Sequence, residues 1–341
     1  LKTKTGVLIV NLGTPDSPSV ADVRKYLREF LMDARVIDIP FWRRFLLINL
    51  IIAPFRAPQS AKGYKELWTA QGSPLKIYGQ ELEKLLQQAL GPAFEVKLAM
   101  RYQTPSIKSV LPYFKDKGFK QLIVVPLYPQ YASSSTGSTI QEVMKVVNGW
   151  EVIPEIKIIS QFFDHPLFIK AFAQIGQEHM ARGHFDHYLF SYHGLPEHQI
   201  YKSSCDDHCR LGDCCLVFHS KNQYCYRAQC FETTRLLAQA LGIKKEDHTI
   251  CFQSRLGKTP WIKPYTDEVI KQLAGSKKRI LVFSPAFVAD CLETTVEIGV
   301  EYKKLFLDRG GEVWQLAESL NVRPAWVECL KQMVLEGSYV K

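Results

Sequence analysis

Two doubly wound α/β halves are predicted by the order of patterns along the chain. Eight short apolar runs recur: Val7 to Asn11, Val96 to Met100, Leu122 to Pro126, Ile156 to Ser160, Tyr188 to Tyr192, Thr249 to Gln253, Ile280 to Phe283 and Val313 to Leu316. Segments of helical periodicity separate most of them, among them Tyr78 to Leu90, Phe168 to Met180, Phe231 to Leu241 and Glu293 to Leu307. Strands that alternate with helices build parallel sheets covered on both faces. Eight runs suit two such halves better than one sheet.

Taken in order, the first half is expected over residues 1–150 and the second over 151–341, with a boundary near Gly149-Trp150. The last helical segments are expected to pack back on the first half. Residues 14–75 hold helices and loops without a clear strand, and residues 197–230 form a polar, cysteine-dense insert. Long irregular insertions in a compact α/β chain are usually functional or disordered. The apolar segment Phe45 to Phe55 is shorter than the roughly 20 residues that span a bilayer. It reads equally as a buried core helix or as a lip on a membrane surface, since Trp42, Arg43, Arg44 and Arg56 flank it.

The totals narrow the class. The 341 residues carry 46% hydrophobic and 23% charged side chains, as a globular protein with packed cores does. Lys and Arg number 43 against 34 Asp and Glu, a surplus of +9 that suits an anionic ligand, a membrane face or a simply basic surface. Nucleic acid is not expected as a partner, because zinc-finger spacing, a homeodomain helix and an RNP-like aromatic stripe are missing. No secretory signal pattern precedes the first strand, so a cytoplasmic location is expected.

Candidate chemistry sits at strand ends, where open α/β sheets bind ligands. Tyr188-Leu189-Phe190-Ser191-Tyr192 ends on His193-Gly194-Leu195-Pro196, a strand that stops and presents one imidazole. Alone, such a histidine is more often a backbone-bonded strand end. After Ile280 to Phe283 a helix is expected from about Asp290, and Glu293, Glu297 and Glu301 then share one face at i, i+4 and i+8. The ordinary account is a solvated acidic face; the functional one is a carboxylate track that moves protons or a hard cation. Acids crowded in a partly buried site repel, so one holds its proton near neutral pH. Tyr64, Trp68, Tyr128, Trp261 and Phe287 are candidate walls for a flat ligand, though each alone is more often core. The hydroxyl-rich stretch 128–138 offers anion-binding groups or ordinary helix caps. Dinucleotide and phosphate-loop glycine patterns are absent.

Seven motifs in order carry a resemblance: Val10-Asn11-Leu12-Gly13-Thr14-Pro15, Gly72-Ser73-Pro74, Met100-Arg101-Tyr102, Tyr128-Pro129-Gln130-Tyr131, Ser191 to Pro196, Gln253-Ser254-Arg255 with Pro260-Trp261, and Ala286 to Thr294. Over nearly its whole length the chain resembles ferrochelatases, which insert Fe²⁺ into a porphyrin in the last step of haem synthesis. The resemblance implies two Rossmann-like halves with a porphyrin cleft between them. It makes His193 and Glu293 the catalytic pair and candidate ligands for the substrate iron, with Glu297 continuing the acid track. It implies porphyrin contacts at Leu12, Tyr64, Tyr128, Trp261, Phe287 and Asp290, and propionate partners at Arg56, Ser73 and Arg101. Whether the histidine takes protons while the acids carry iron, or the reverse, stays open. One departure is Cys291, where many members have histidine.

The resemblance also makes the lip a peripheral membrane contact, on the inner membrane, that receives an insoluble porphyrin. Protoporphyrin IX is then expected over coproporphyrin III. The alternatives are a coproporphyrin or cobalt chelatase, or a non-catalytic haem or iron–sulfur sensor; the last needs no base, against the retention of His193 and Glu293. Monomer and homodimer both remain open.

Six of nine cysteines lie in the insert region: Cys205, Cys209, Cys214, Cys215, Cys225 and Cys230. Without an export signal disulfides are not expected, and this density suits a soft metal. Zinc with His208 or His219 is one reading, and six reduced thiols without metal another. Some ferrochelatases carry a [2Fe–2S] cluster, which four thiolates suit. Animal members draw ligands from one internal cysteine and a C-terminal stretch; the matching positions here are Ser133 and no counterpart, so that arrangement is not expected. The resemblance to bacterial members with such inserts implies a cluster within this segment, and Cys209, one of Cys214 and Cys215, Cys225 and Cys230 are its expected ligands.

Overall fold

The computed structural model describes residues 5–204, 207–257 and 259–338. All eight apolar runs are strands: β1 (Thr5–Gly13), β2 (Phe94–Tyr102), β3 (Gln121–Pro126), β4 (Glu155–Ile158), β5 (His187–His193), β6 (His248–Gln253), β7 (Arg279–Phe283) and β8 (Val313–Leu316). They form two four-stranded sheets of the same pattern, β2-β1-β3-β4 and β6-β5-β7-β8. Every pairing is parallel. Central strands β1, β3, β5 and β7 are buried along almost their full length, as helices on both faces of a parallel sheet require. The fold is the predicted α/β class.

Each sheet has its own core. Leu8 and Val10 of β1 pack with Leu111, Phe114, Val124 and Val143 in the first. Leu189 of β5 packs with Ile270, Ile280, Val282, Ile298 and Trp314 in the second.

The chain divides into two compact units, but not at residue 150. The first comprises 1–128, 133–161 and 326–341; the second comprises 129–132 and 162–325. The boundary moves because β4 adds to the edge of β3, with Leu122 opposite Ile156 and Val124 opposite Ile158. An apolar run has no means of stating which sheet it will join. The closing helix, Pro324–Gly337, enters the first unit, where Gln121 Nε2 donates to Gly337 O at 3.3 Å. Residues 129–132 belong with the second unit: Tyr131 N donates to Gln229 Oε1 at 2.6 Å and Gln130 Nε2 to Thr233 Oγ1 at 3.0 Å.

The lip is helical from Phe41 to Leu67, with a π-helical stretch, Leu47–Ile52, between two α-helices. Most of its large apolar side chains face outward, Trp42 72%, Leu50 63% and Phe55 79% exposed, while Ile48 turns inward. Of the two readings of this segment, the buried core helix is therefore the one the structure excludes. Arg44, grouped above with the flanking cations, instead turns inward and donates to Ile37 O at 3.1 Å and Ile39 O at 2.8 Å. No helix among the described residues is long and apolar enough to cross a membrane.

Candidate active site

The second unit assembles one site from two strand ends and a helix. β5 ends at His193, directly opposite Gln253 at the end of β6. The register continues one residue further, where Gly194 N donates to Gln253 O at 2.8 Å. A Cβ on Gly194 would lie 2.8 Å from that oxygen and 3.2 Å from the Trp261 ring, so only glycine fits without displacement. His193 Nδ1 lies 2.6 Å from Gly194 O. A carbonyl oxygen only accepts, so Nδ1 carries a proton, and in the neutral ring Nε2 is then the nitrogen with the lone pair. The rings of Trp261 and Phe287 flank it at centroid distances of 6.3 and 6.5 Å. Trp261 is fixed in turn by Nε1 donating to Leu256 O at 3.0 Å.

The carboxylate helix is not the expected α-helix. Glu293–Tyr302 is π-helical, an i→i+5 form that is rare in long runs and common at functional sites. Glu293 and Glu297 are half-buried and Glu301 is exposed. Glu297 is densely hydrogen-bonded: it accepts from Gln253 Nε2 at 3.2 Å, Ser254 N at 3.0 Å, the Ser254 hydroxyl, and Tyr302 OH at 3.0 Å. Those bonds hold Ser254 at φ 65°, in the left-handed region. Four donors fix Glu297 as a post at the base of the site, whereas Glu293 sits one turn nearer the helix start.

Gln253 ties these parts together. Its amide oxygen accepts from Ser191 Oγ at 2.7 Å, and its Nε2 donates both to Glu297 and to the Glu293 carbonyl, the latter at 3.4 Å. One buried side chain therefore links the strand of the histidine to the helix of the acids. Cys291 packs against the Glu293 carboxylate; burial first, and that negative charge second, push its thiol well above the usual range. It stands as a neutral S–H where many family members have an imidazole.

Asp290 does not present a free carboxylate for substrate. It accepts from Ser319 N at 3.1 Å, Asn321 Nδ2 at 2.7 Å and Thr294 Oγ1 at 3.3 Å, and so ties the 319–321 turn to the start of the acid helix.

The remaining candidates lie in the first unit. Leu12 follows the apolar body of β1 and is half-buried; Arg56 is exposed on the lip helix; Tyr64 is buried, and Tyr128 is half-buried just past β3. Ser73 is buried and accepts from Thr14 Oγ1 at 2.9 Å. Arg101 departs from its expected role as a propionate partner. Its Nη2 forms a buried ion pair with Asp33 at 2.6 Å, and Nε donates to Ser138 Oγ at 2.6 Å. Burial alone would raise the Asp33 carboxyl, but hydrogen bonds from Ser138, Arg35 N and Tyr102, with the Arg101 charge, hold it below the usual range. A guanidinium spent in this way stabilises the first unit rather than advertising a free cation.

Four insert thiols gather around one small cavity: Cys209, Cys214, Cys215 and Cys225, with His208 beside them. Cys214 and Cys215 Sγ are 3.8 Å apart. The Cys215 thiol donates to Cys225, which raises Cys215 and lowers Cys225. Cys230, expected among the ligands, is not on the cavity wall; it is fully buried beside Tyr226 on the helix Tyr226–Leu241. Helical spacing turns residue 230 to a different face from residue 225. Cys205 lies outside the described residues. Among the described residues, no three His, Cys, Asp or Glu side chains converge on a common metal position.

Comparison with known proteins decides what this arrangement belongs to. The Ferrochelatase family model matches residues 4–338. The chain belongs to the ferrochelatase family. A ferrochelatase of Legionella pneumophila (strain Lens) is 46% identical over 334 residues, 98% of this chain and 99% of that one. One from Coxiella burnetii (strain Dugway 5J108-111) is 43% identical over 332 residues, 97% and 93% of the two chains. Among solved structures, SirB from Bacillus subtilis with Fe³⁺ superposes with a TM-score of 0.56 at 12% identity, covering 98% and 96%. That likeness shows a shared chelatase fold.

Two residues of the site went unassigned in the sequence. Gln253 stands in a motif but carried no role, and its one signal was its position at a strand end beside His193. Tyr226, whose hydroxyl donates to His193 O at 2.8 Å, had none beyond following a cysteine. Replacing Gln253 with Leu keeps its backbone but strips the Glu297 and Glu293 contacts. It is expected to lower stability by about 2–4 kcal/mol in thermal unfolding and to slow metal insertion even well below the unfolding midpoint. Wild-type stability and rate together would remove Gln253 from this role.

Proposed function

We propose that the protein inserts Fe²⁺ into protoporphyrin IX to give protohaem, as a metal-porphyrin lyase in haem biosynthesis. The observation that carries this reading is His193 at the strand end with its Nδ1 proton held on Gly194 O, which leaves Nε2 as the basic nitrogen of the neutral ring, and with Trp261 and Phe287 beside it. Metalation removes two pyrrole N–H protons as one Fe²⁺ enters, so the ring's charge balance is kept. A neutral imidazole is basic enough near pH 7 to accept the first proton. Glu293, close to the helix start and not locked by donors as Glu297 is, is assigned to the second proton or to the incoming iron. Rigid Trp261 and Phe287 oppose a planar ring, which favours a distorted one whose nitrogen lone pair points out of plane.

The test is anaerobic conversion of protoporphyrin IX to haem with Fe²⁺, followed by its visible bands. His193→Ala is expected to lower the rate at least ~100-fold while porphyrin binding, read by fluorescence quenching, stays measurable. Near-normal turnover would take His193 out of the mechanism. Binding without metalation by the unaltered protein would favour a sensor.

The outward apolar lip supports a peripheral membrane contact and an apolar porphyrin over coproporphyrin III. Each buried side chain of this size contributes about 1.5–3 kcal/mol to such a contact. Trp42→Ser with Phe55→Ser is therefore expected to abolish co-sedimentation with anionic phospholipid vesicles, with insertion into detergent-dispersed porphyrin retained. Unchanged sedimentation would overturn the membrane assignment.

Although no three of their side chains converge on one metal position as they stand, Cys209, Cys214, Cys215 and Cys225 line one cavity and are the candidate ligands for a [2Fe–2S] cluster, in place of a set that includes Cys230. Such a cluster would supply no electron that metal insertion requires. Iron and acid-labile sulfide in equal amounts, lost in Cys225→Ser and kept in Cys230→Ser, is the expected result. Protein that holds zinc alone, or no metal, when prepared anaerobically would overturn it.

A further inference from the structure

The helix Tyr226–Leu241 packs one row of polar atoms against the end of β5, and nothing in the chemistry above uses it. Tyr226, Cys230 and Thr234 fall at i, i+4 and i+8, so they share a face. Tyr226 OH donates to His193 O at 2.8 Å. Thr234 Oγ1 pairs with Tyr192 OH at 2.8 Å. Tyr226 is buried, and burial, with the Cys230 thiol beside it, keeps the phenol protonated and hence a donor. The His193 peptide is therefore gripped on two sides. Its carbonyl is held by Tyr226, and the next amide, Gly194 N, by Gln253 O at 2.8 Å. The carbonyl of that same Gly194 is what fixes the imidazole tautomer.

We propose that Tyr226 is a positioning residue for the reaction: its hydroxyl holds the His193–Gly194 peptide so that Gly194 O meets Nδ1 and leaves Nε2 as the free base. The inference rests on His193 acting as that base. The Gly194 N–H bond to Gln253 O anchors one edge of this peptide, and the Tyr226 hydroxyl on its carbonyl is the second point that fixes its plane. If the plane turns, Gly194 O moves off the ring, and the Nε2–H tautomer, which has no lone pair where the porphyrin proton must go, becomes populated.

Tyr226→Phe removes one oxygen and keeps the ring. Thr234→Val serves as the control, since it removes the neighbouring contact on the same helix face without touching His193. Histidine-selective ¹⁵N NMR at pH 8 reads the tautomer directly, with the His193 signals assigned by their loss in His193→Ala. In the wild type, a protonated Nδ1 and an unprotonated Nε2 are expected. In Tyr226→Phe both nitrogens should shift toward a tautomer mixture, with kcat for insertion down about tenfold, the rate equivalent of one neutral hydrogen bond, and porphyrin KM unchanged. Thr234→Val should leave both readouts at wild-type values. Unaltered His193 signals in Tyr226→Phe overturn the proposal whatever the rate does. Equal shifts in Thr234→Val overturn it too, since the contact would then be general packing. Because the NMR readout needs no turnover, failure of this proposal is distinguishable from failure of His193 as the base.

Discussion

The site depends on the meeting of two parallel strand ends at Gln253. Its main chain continues the β5–β6 ladder to Gly194, and its side chain crosses to the acid helix. A buried amide has few acceptable arrangements, because every unpaired N–H or C=O costs desolvation without return. Here the amide oxygen and Nε2 both find partners, and those partners belong to the histidine's strand and the carboxylates' helix. The relative placement of base and acids is therefore a property of one side chain's hydrogen-bond arithmetic. Gly194, which must lack a Cβ for the ends to meet, is the steric half of the same constraint.

A second regularity concerns charged groups. Several residues that look like handles for ligand are instead fastened within the protein. Arg44 caps a turn, Arg101 pairs with Asp33, Asp290 staples the 319–321 turn, and Glu297 collects four donors. Such groups are costly to bury unpaired, so the fold surrounds them with partners. Glu293 and the imidazole Nε2 stand out because neither is sequestered in this way. Contrast, more than charge, marks the candidate pair.

This explains what the sequence disclosed. The eight strands were legible because parallel strands are continuous apolar runs ended by turn residues. His193 was legible because Gly and Pro follow it at once. The sheet that β4 joins was not, since pairing is a long-range choice that a four-residue run does not encode. Nor was the π-helical winding of Glu293–Tyr302, because an i, i+4 spacing of acids reads alike in either helix. The lip was ambiguous for a related reason: periodicity reports that a helix has an apolar face, and only packing tells whether another element covers it. Cys230 was grouped with the other thiols by proximity in sequence, which ignores that a helix begins at Tyr226 and turns it away from Cys225.

The unequal environments of the cysteines give the molecule a chemical map. Cys251 and Cys291 are buried and pushed upward, Cys251 to about 12, so they stay protonated and poorly nucleophilic. Cys225, at the start of a helix and accepting a hydrogen bond from the Cys215 thiol, is shifted the other way. Thiolate character among the described cysteines therefore gathers at Cys225, itself buried inside the insert, and not at the thiol beside Glu293.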